Sequence, residues 1–141
     1  MNKEFIPYEQ ALALKELGFD EICLAMQTIC GLQLFSQRGF AIIKGGYTNT
    51  ELKLDGVLGV PLYQQAFRWF REKYNLYHNV WNYTHGEPTN LIPNGFTYSI
   101  DEEWITIIGK KEDGYFEKYY NTYEEAEQAC LSKLIEIVKN K

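Results

Sequence analysis

Residues 61–77 read PLYQQAFRWFREKYNLY, with six aromatic rings and four charged side chains in one run. Two ways of folding that run have opposite consequences. If rings and charges share a face, the segment is a platform on which nucleic-acid bases stack among cations; if they separate, it is an amphipathic helix whose rings are core. A helix turns about 100° per residue. On that wheel Leu62, Trp69, Ala66, Tyr77, Phe70, Tyr63, Tyr74 and Phe67 fall within one arc of roughly 160°. Gln64, Gln65, Arg68, Arg71, Glu72 and Asn75 take the remainder. Rings and charges therefore alternate only along the chain, and the segment predicts a helix over 61–77 with a buried aromatic side, opened by Pro61 in its first turn. Lys73, at the border of the arc, can lay its methylenes on the rings and lift its amine to water.

Outward from this helix the same logic finds two more. Pro7 suits a first turn, Glu9 sits near the positive end of the dipole, and Gly18-Phe19 reads as a left-handed stop with an apolar clasp, so 7–17 is expected to be helical with Ala11, Leu12, Leu14 and Leu17 inward. Thr122 and Glu125 form a capping box for a helix over 123–139, lined by Ala126, Ala129, Cys130, Leu134 and Ile137. Between the helices lie β patterns. Ile22, Leu24 and Met26, then Leu32 and Leu34, alternate on either side of Cys30-Gly31, which suggests a hairpin. Gly39 to Ile43 reads as a further strand, and Gly45 to Gly59 as a long loop. Val80 to Tyr83 and Phe96 to Ile100 read as strands around the turn-rich run 84–95, and Trp104 to Ile108 as one arm of a hairpin that returns over Tyr115 to Tyr120. No repeat or linker divides the chain. The expectation is one α+β domain over 1–141, an antiparallel sheet packed with three helices.

Composition narrows the function classes. The 141 residues include eleven Tyr, eight Phe and three Trp but only two Met, so the core is made of rings, and several Tyr hydroxyls must reach water or a partner. The net charge of −5 repels phosphate backbones, and the basic residues do not cluster: Lys110-Lys111 is followed by Glu112-Asp113. Nucleic acid is disfavoured as a partner. The run MNKEFIPYEQ is not a secretory signal, and no stretch is long and apolar enough to span a bilayer, so a cytoplasmic protein without membrane contact is expected. Cys23, Cys30 and Cys130 form no even framework and no C-x-x-C pair, as suits reduced thiols.

The segments FIPYEQALALKELGFDE (5–21), LYQQAFRWFREKYNLY (62–77) and NTYEEAEQACLSKLIEIVKNK (121–141) resemble a set of small uncharacterised proteins encoded by phages and prophages of gut anaerobes. The likeness covers the three helices and the cap before the last. It implies a genetic setting, an accessory protein of a mobile element in a bacterial host cell, and it carries no catalytic or ligand signature.

The residues able to do chemistry are few. His78, His85 and Glu87 offer two imidazoles and a carboxylate, but the spacing of the histidines matches no metal-ligand pattern. Asp101, Glu102 and Glu103 crowd three carboxylates, which a solvated turn explains as well as acid–base work does. Cys130 falls on an apolar helix stripe, where a thiol is a small hydrophobe. Gly45-Gly46 and Gly56 lack the context of a phosphate loop. Asn82-Tyr83-Thr84 matches a glycosylation acceptor only as a tripeptide. No cofactor, no metal site and no catalytic residue is assigned on this basis.

More suggestive is 84–95, where Pro88 and Pro93 flank Leu91-Ile92, two large apolar side chains at a place where loops are ordinarily polar. Either they fold back on the core or they anchor another protein or a second copy of the chain. Trp81, Tyr83, Phe96 and Tyr98 on the adjoining strands complete an aromatic surround of the kind interfaces use. Three functions are expected in order: a binding or adaptor protein, self-association included; an enzyme whose site is assembled from His78, His85, Glu87, Asp101 and a Cys; and an acidic inhibitor of a host nucleic-acid enzyme.

Overall fold

A computed structural model describes residues 2–35, 45–52, 56–85, 92–102, 105–108 and 119–141. It has the expected α+β class, with three helices, α1 (Tyr8–Glu16), α2 (Tyr63–Tyr74) and α3 (Tyr123–Lys139). The strands form two antiparallel sheets rather than one. Strands β1 (Ala25–Thr28), β2 (Gly31–Leu34) and β3 (Leu58–Val60) run in the order β2-β1-β3; β4 (Leu76–His85), β5 (Ile92–Glu102) and β6 (Ile105–Ile108) run in the order β4-β5-β6. The residues gather into two compact units, Met1–Ala66 and Phe67–Lys141, with the boundary inside α2.

In the first unit α1 ends as its sequence signals. Gly18 takes φ 88°, which costs little without a Cβ, and the Gly18 N–H reaches the Lys15 carbonyl while the Phe19 N–H reaches that of Leu14. These are the paired bonds of a Schellman stop, and Phe19 and Leu14 are both buried. Pro7 stands just outside the helix, with an extended ψ of 157°. The buried side differs from the expected one: Gln10 is inside and Leu12 is exposed. Helix α1 packs against β3.

The first hairpin turns at Ile29-Cys30, one place earlier than Cys30-Gly31, and Thr28 pairs with Gly31. The Thr28 hydroxyl holds this turn, accepting from the Cys30 N–H (3.1 Å) and donating to the Gly31 carbonyl (3.3 Å). Of the alternating trio only Met26 is buried; Ile22 and Leu24 face out, and the inward set is Cys23, Ala25 and Met26. The stretch read as one loop over 45–59 contains β3 at its end. Its described part is tightly held. Cys23 and Tyr47 exchange backbone hydrogen bonds of 2.9 and 3.2 Å. Buried Asn49 donates to the Phe19 carbonyl (3.3 Å) and accepts from the Gly59 N–H (3.0 Å). Thr50 gives both its N–H and its hydroxyl to the Asp20 carboxylate at 2.7 Å. The expected strand at Gly39 to Ile43 lies outside the described residues.

Helix α2 buries the predicted rings: Tyr63, Phe67, Trp69 and Phe70 are buried, with Ala66 between them. Gln64, Arg68, Arg71 and Glu72 are exposed, and Lys73 sets its ammonium 4.6 Å from the Trp69 ring centre and 5.3 Å from that of Tyr74. The helix stops three residues earlier than its ring pattern suggests. Asn75 adopts φ 55°, the left-handed conformation that asparagine tolerates better than most residues, and β4 starts at Leu76 without a linker. Tyr77 thus belongs to a strand, and its ring is exposed.

The second unit is a long hairpin under a helix. Strands β4 and β5 pair from Leu76↔Glu102 to His85↔Ile92, with a register shift between Tyr83 and Thr84. Both ends of the predicted loop over 84–95 are therefore strand, and residues 86–91 lie outside the described residues. Pro93 is the second residue of β5, opposite Thr84 and beside the register shift, where strands admit proline. Of the expected return arm over Tyr115 to Tyr120, residues 115–118 lie outside the described residues, and Tyr120 forms an antiparallel bridge with Phe96. Gly95 permits this bridge, since a Cβ there would strike the Tyr120 carbonyl oxygen. Helix α3 carries the capping box in full: the Glu125 N–H donates to the Thr122 hydroxyl (3.2 Å), and the Glu125 carboxylate accepts from the Thr122 N–H (3.3 Å). Leu131 and Ile135 join Ala126, Cys130 and Leu134 on its buried side.

Candidate interaction surface

The register of β4 against β5 assigns side chains to the two faces of the second sheet, because residues directly opposite in an antiparallel pair point the same way. Leu76, His78 and Val80 share a face with Tyr98 and Ile100. This is the helix side. The Phe96 ring meets that of Tyr123 on α3 edge to face at 6.1 Å, and the Phe67 ring of α2 stacks on His78 at 3.7 Å with 7° between the planes. Tyr77, Asn79 and Trp81 share the opposite face with Asp101, Ser99 and Thr97.

On the helix side Tyr98 is only 7% exposed. Its hydroxyl hydrogen-bonds with that of Tyr120, and burial foremost, with Tyr120 next, raises its pKa above the ordinary tyrosine value. This residue, expected in the aromatic surround, is core, and its polar tip finds the partner that a buried tyrosine needs. Phe96 is half-buried against α3. On the other face Trp81 is half-buried opposite Thr97, while Tyr77 at 48% and Asn79 are exposed. The sequence pointed to Trp81 but missed Tyr77 and Asn79, whose strand was hidden by the helical ring pattern running into it. Ile92 opens β5 opposite His85, and Tyr83 pairs with Gly95; Leu91 lies outside the described residues.

The groups considered for catalysis do not converge where they can be followed. His78 and Asp101 belong to opposite faces of one sheet, since His78 pairs with Ile100 while Asp101 pairs with Tyr77. Burial, and secondarily the charge of Arg71, hold the His78 imidazole down at about 4. It is a neutral ring at neutral pH, stacked on Phe67. Burial pushes the Cys23 thiol up to about 12, with Glu21 and Asp20 adding to the effect. Burial, then Glu127, raises Cys130 likewise. Both are poor nucleophiles, because the thiolate is the reactive form. Cys30 is exposed, and all three cysteines are free thiols. Glu87 and Glu103 lie outside the described residues. Among those described, no three His, Cys, Asp or Glu side chains gather as a metal site, and no helix is long and apolar enough to cross a membrane.

Among the described residues, exposed Tyr77 and Asn79 and half-buried Trp81 line up along one face of β4, and exposed Tyr8 and Leu12 stand one turn apart on α1. No family model, curated protein or solved structure matches the chain.

Proposed function

We propose that this chain is an accessory protein of a phage or prophage, acting in the host cytoplasm through protein–protein contacts and without a catalytic centre. The observation that carries the proposal is the face of β4 opposite to His78, where Tyr77, Asn79 and Trp81 stand in a row with Tyr77 and Asn79 open to solvent. Tyr and Trp are favoured interface residues because one side chain offers a large apolar area and a polar tip at little entropic cost. Separation of His78 from Asp101, and burial of the Cys23 and Cys130 thiols, weigh against the enzyme alternative. The genetic setting rests on the resemblance of residues 5–21, 62–77 and 121–141 to phage and prophage proteins.

Affinity capture of the tagged chain from lysogenic or infected cells tests this reading, with wild type compared against Tyr77→Asp and against the pair Leu91→Asp, Ile92→Asp. Both variants are expected to keep the wild-type circular dichroism spectrum. At least one should lose captured protein, the partner or the untagged chain itself. Equal capture by all three proteins overturns the reading.

A further inference from the structure

We infer that β4 is a self-pairing edge, on which a second copy of this chain adds its own β4 antiparallel to make one six-stranded sheet; this names the partner in the reading above and rests on it. Among the described residues, β4 is the outer strand of its sheet, bonded to β5 alone. It is ten residues long. Among the described residues, no backbone hydrogen bond joins it to any other segment beyond the last turn of α2. Exposed edges of that length are a hazard that proteins ordinarily blunt with lysine, proline or an inward charge. Leu76 to His85 contains no Lys, Arg, Asp, Glu or Pro, and its one register shift sits at the far end, between Tyr83 and Thr84. The first eight residues form an uninterrupted template.

Two features favour a copy of the same chain over a foreign peptide. An antiparallel pair of identical strands is self-complementary about a two-fold axis, the commonest symmetry of homo-oligomers. The chain carries a net charge of −5, which would repel its own copy at most surfaces, yet along β4 there is no acidic side chain to do so. Side-chain pattern then selects a register. With the axis through Asn79, the residue numbers of each facing pair sum to those of Asn79 with itself, so Tyr77 faces Trp81 of the second copy and the two Asn79 amides face one another. All of these lie on one face of β4, opposite to His78. Aromatic pairs and amide pairs directly across an antiparallel ladder are favourable, whereas like charges there are not.

Sedimentation equilibrium of the full chain between about 1 and 300 µM, a range that spans weak to moderate dimers, reads the outcome. Wild type is expected to move from 16.5 kDa toward twice that mass. Asn79→Lys and Asn79→Asp, each placing like charges on the axis, should each raise the dissociation constant by about tenfold or more. An equimolar mixture of the two variants should recover the dimer, because opposite charges then meet. Wild type that stays monomeric throughout overturns the inference, as does a dimer unaffected by both variants or a mixture that fails to recover. A monomer that still captures a cellular protein leaves the reading of the preceding subsection standing; a monomer that captures nothing overturns both.

Discussion

Residues 1–66 and residues 67–141 are held together by different means. In the first unit the backbone is irregular, and polar side chains hold it: Asn49 ties the turn after α1 to β3, Asp20 grips Thr50, Thr28 closes the hairpin, and Gln65 donates to the Ile22 carbonyl at 2.6 Å. In the second unit the backbone is regular, and rings cover it. Trp69, Phe70 and Tyr74 meet at 5.1 to 6.0 Å, Phe67 stacks on His78, and Tyr98 lies beside Tyr120 at 6.2 Å. A long hairpin satisfies its own amides, so its side chains are free for apolar packing; a wandering loop must find partners for its amides elsewhere. The difference lies in where the backbone hydrogen bonds go, and substitutions can test it.

Truncating a ring should have the largest effect. Phe70 is wholly buried, with its ring centroid 5.1 Å from that of Trp69 and 6.0 Å from that of Tyr74. Phe70→Ala is expected to cost about 3–5 kcal/mol, the lost transfer energy plus an unfilled cavity. Urea denaturation followed by tryptophan fluorescence measures it. A cost below about 1 kcal/mol would mean that the rings of the second unit are not its principal support.

Removing the amide that anchors the first unit comes next. Asn49→Ala leaves the Phe19 carbonyl and the Gly59 N–H without the partners they have at 3.3 and 3.0 Å, at a cost of about 2–3 kcal/mol for two abandoned backbone groups. Asn49→Asp keeps the acceptor for Gly59 but turns an oxygen toward the Phe19 carbonyl. Amide exchange separates the two variants: the Gly59 N–H should lose protection in the alanine variant and keep more of it in the aspartate variant. Equal protection in both would show that Asn49 fills space rather than bonding.

Acid should also distinguish the units. In the unfolded chain the His78 imidazole takes up a proton near its ordinary 6.5, whereas in the fold it does so only at about 4. Between those values the unfolded state binds more protons, so stability falls as the pH drops from 6.5 and the loss is complete near 4. His78→Gln should flatten that part of the urea midpoint curve. Asp20 acts in a lower window. Its carboxyl is held below its ordinary 3.8, chiefly by the Thr50 hydroxyl, so its contribution is present above that value and lost as pH falls beneath it. If His78→Gln leaves the slope between pH 6.5 and 4 unchanged, the imidazole is not buried against Phe67 as described.

How much of this was legible in the sequence follows the same division. Local signals survived: Gly18-Phe19 ended α1, Thr122 and Glu125 opened α3, and the ring arc of α2 chose its buried side, because each depends on residues within about one helical turn. The end of α2 did not. Tyr77 fits the helical period that runs through Phe70 and Tyr74, and it fits a strand beginning at Leu76 equally well; Asn75 decides between them only by taking φ 55°. Two prolines made 84–95 look like loop, although Pro93 sits where a strand accepts it, opposite Thr84 and next to the register shift. Asn49 and Asp20 were silent because Phe19 and Thr50 lie 30 residues from them and Gly59 lies 10 from Asn49, and Tyr77 and Asn79 became candidates only once the strand that carries them was known.

The cap of α3 and the surface of α2 carry the smallest expected effects. Thr122→Ala removes one side of the capping box and should cost about 1 kcal/mol. Lys73→Ala removes an ammonium from the faces of Trp69 and Tyr74, at about 0.5 kcal/mol for an exposed cation over a ring. Arg68 and Glu72 approach to only 4.0 Å with both side chains largely in water, so Arg68→Ala should change stability by no more than about 0.3 kcal/mol. Chemical denaturation of the three variants in one buffer, repeated in high salt, orders them. Salt should leave the Thr122→Ala cost in place and shrink the Arg68→Ala cost toward zero. The Lys73→Ala cost should persist in part, because the lysine stem covers ring surface that salt does not screen. An Arg68→Ala cost larger than that of Lys73→Ala would assign the outer side of α2 to ion pairing, and the contrast between a ring-held unit and a polar-held one would no longer stand.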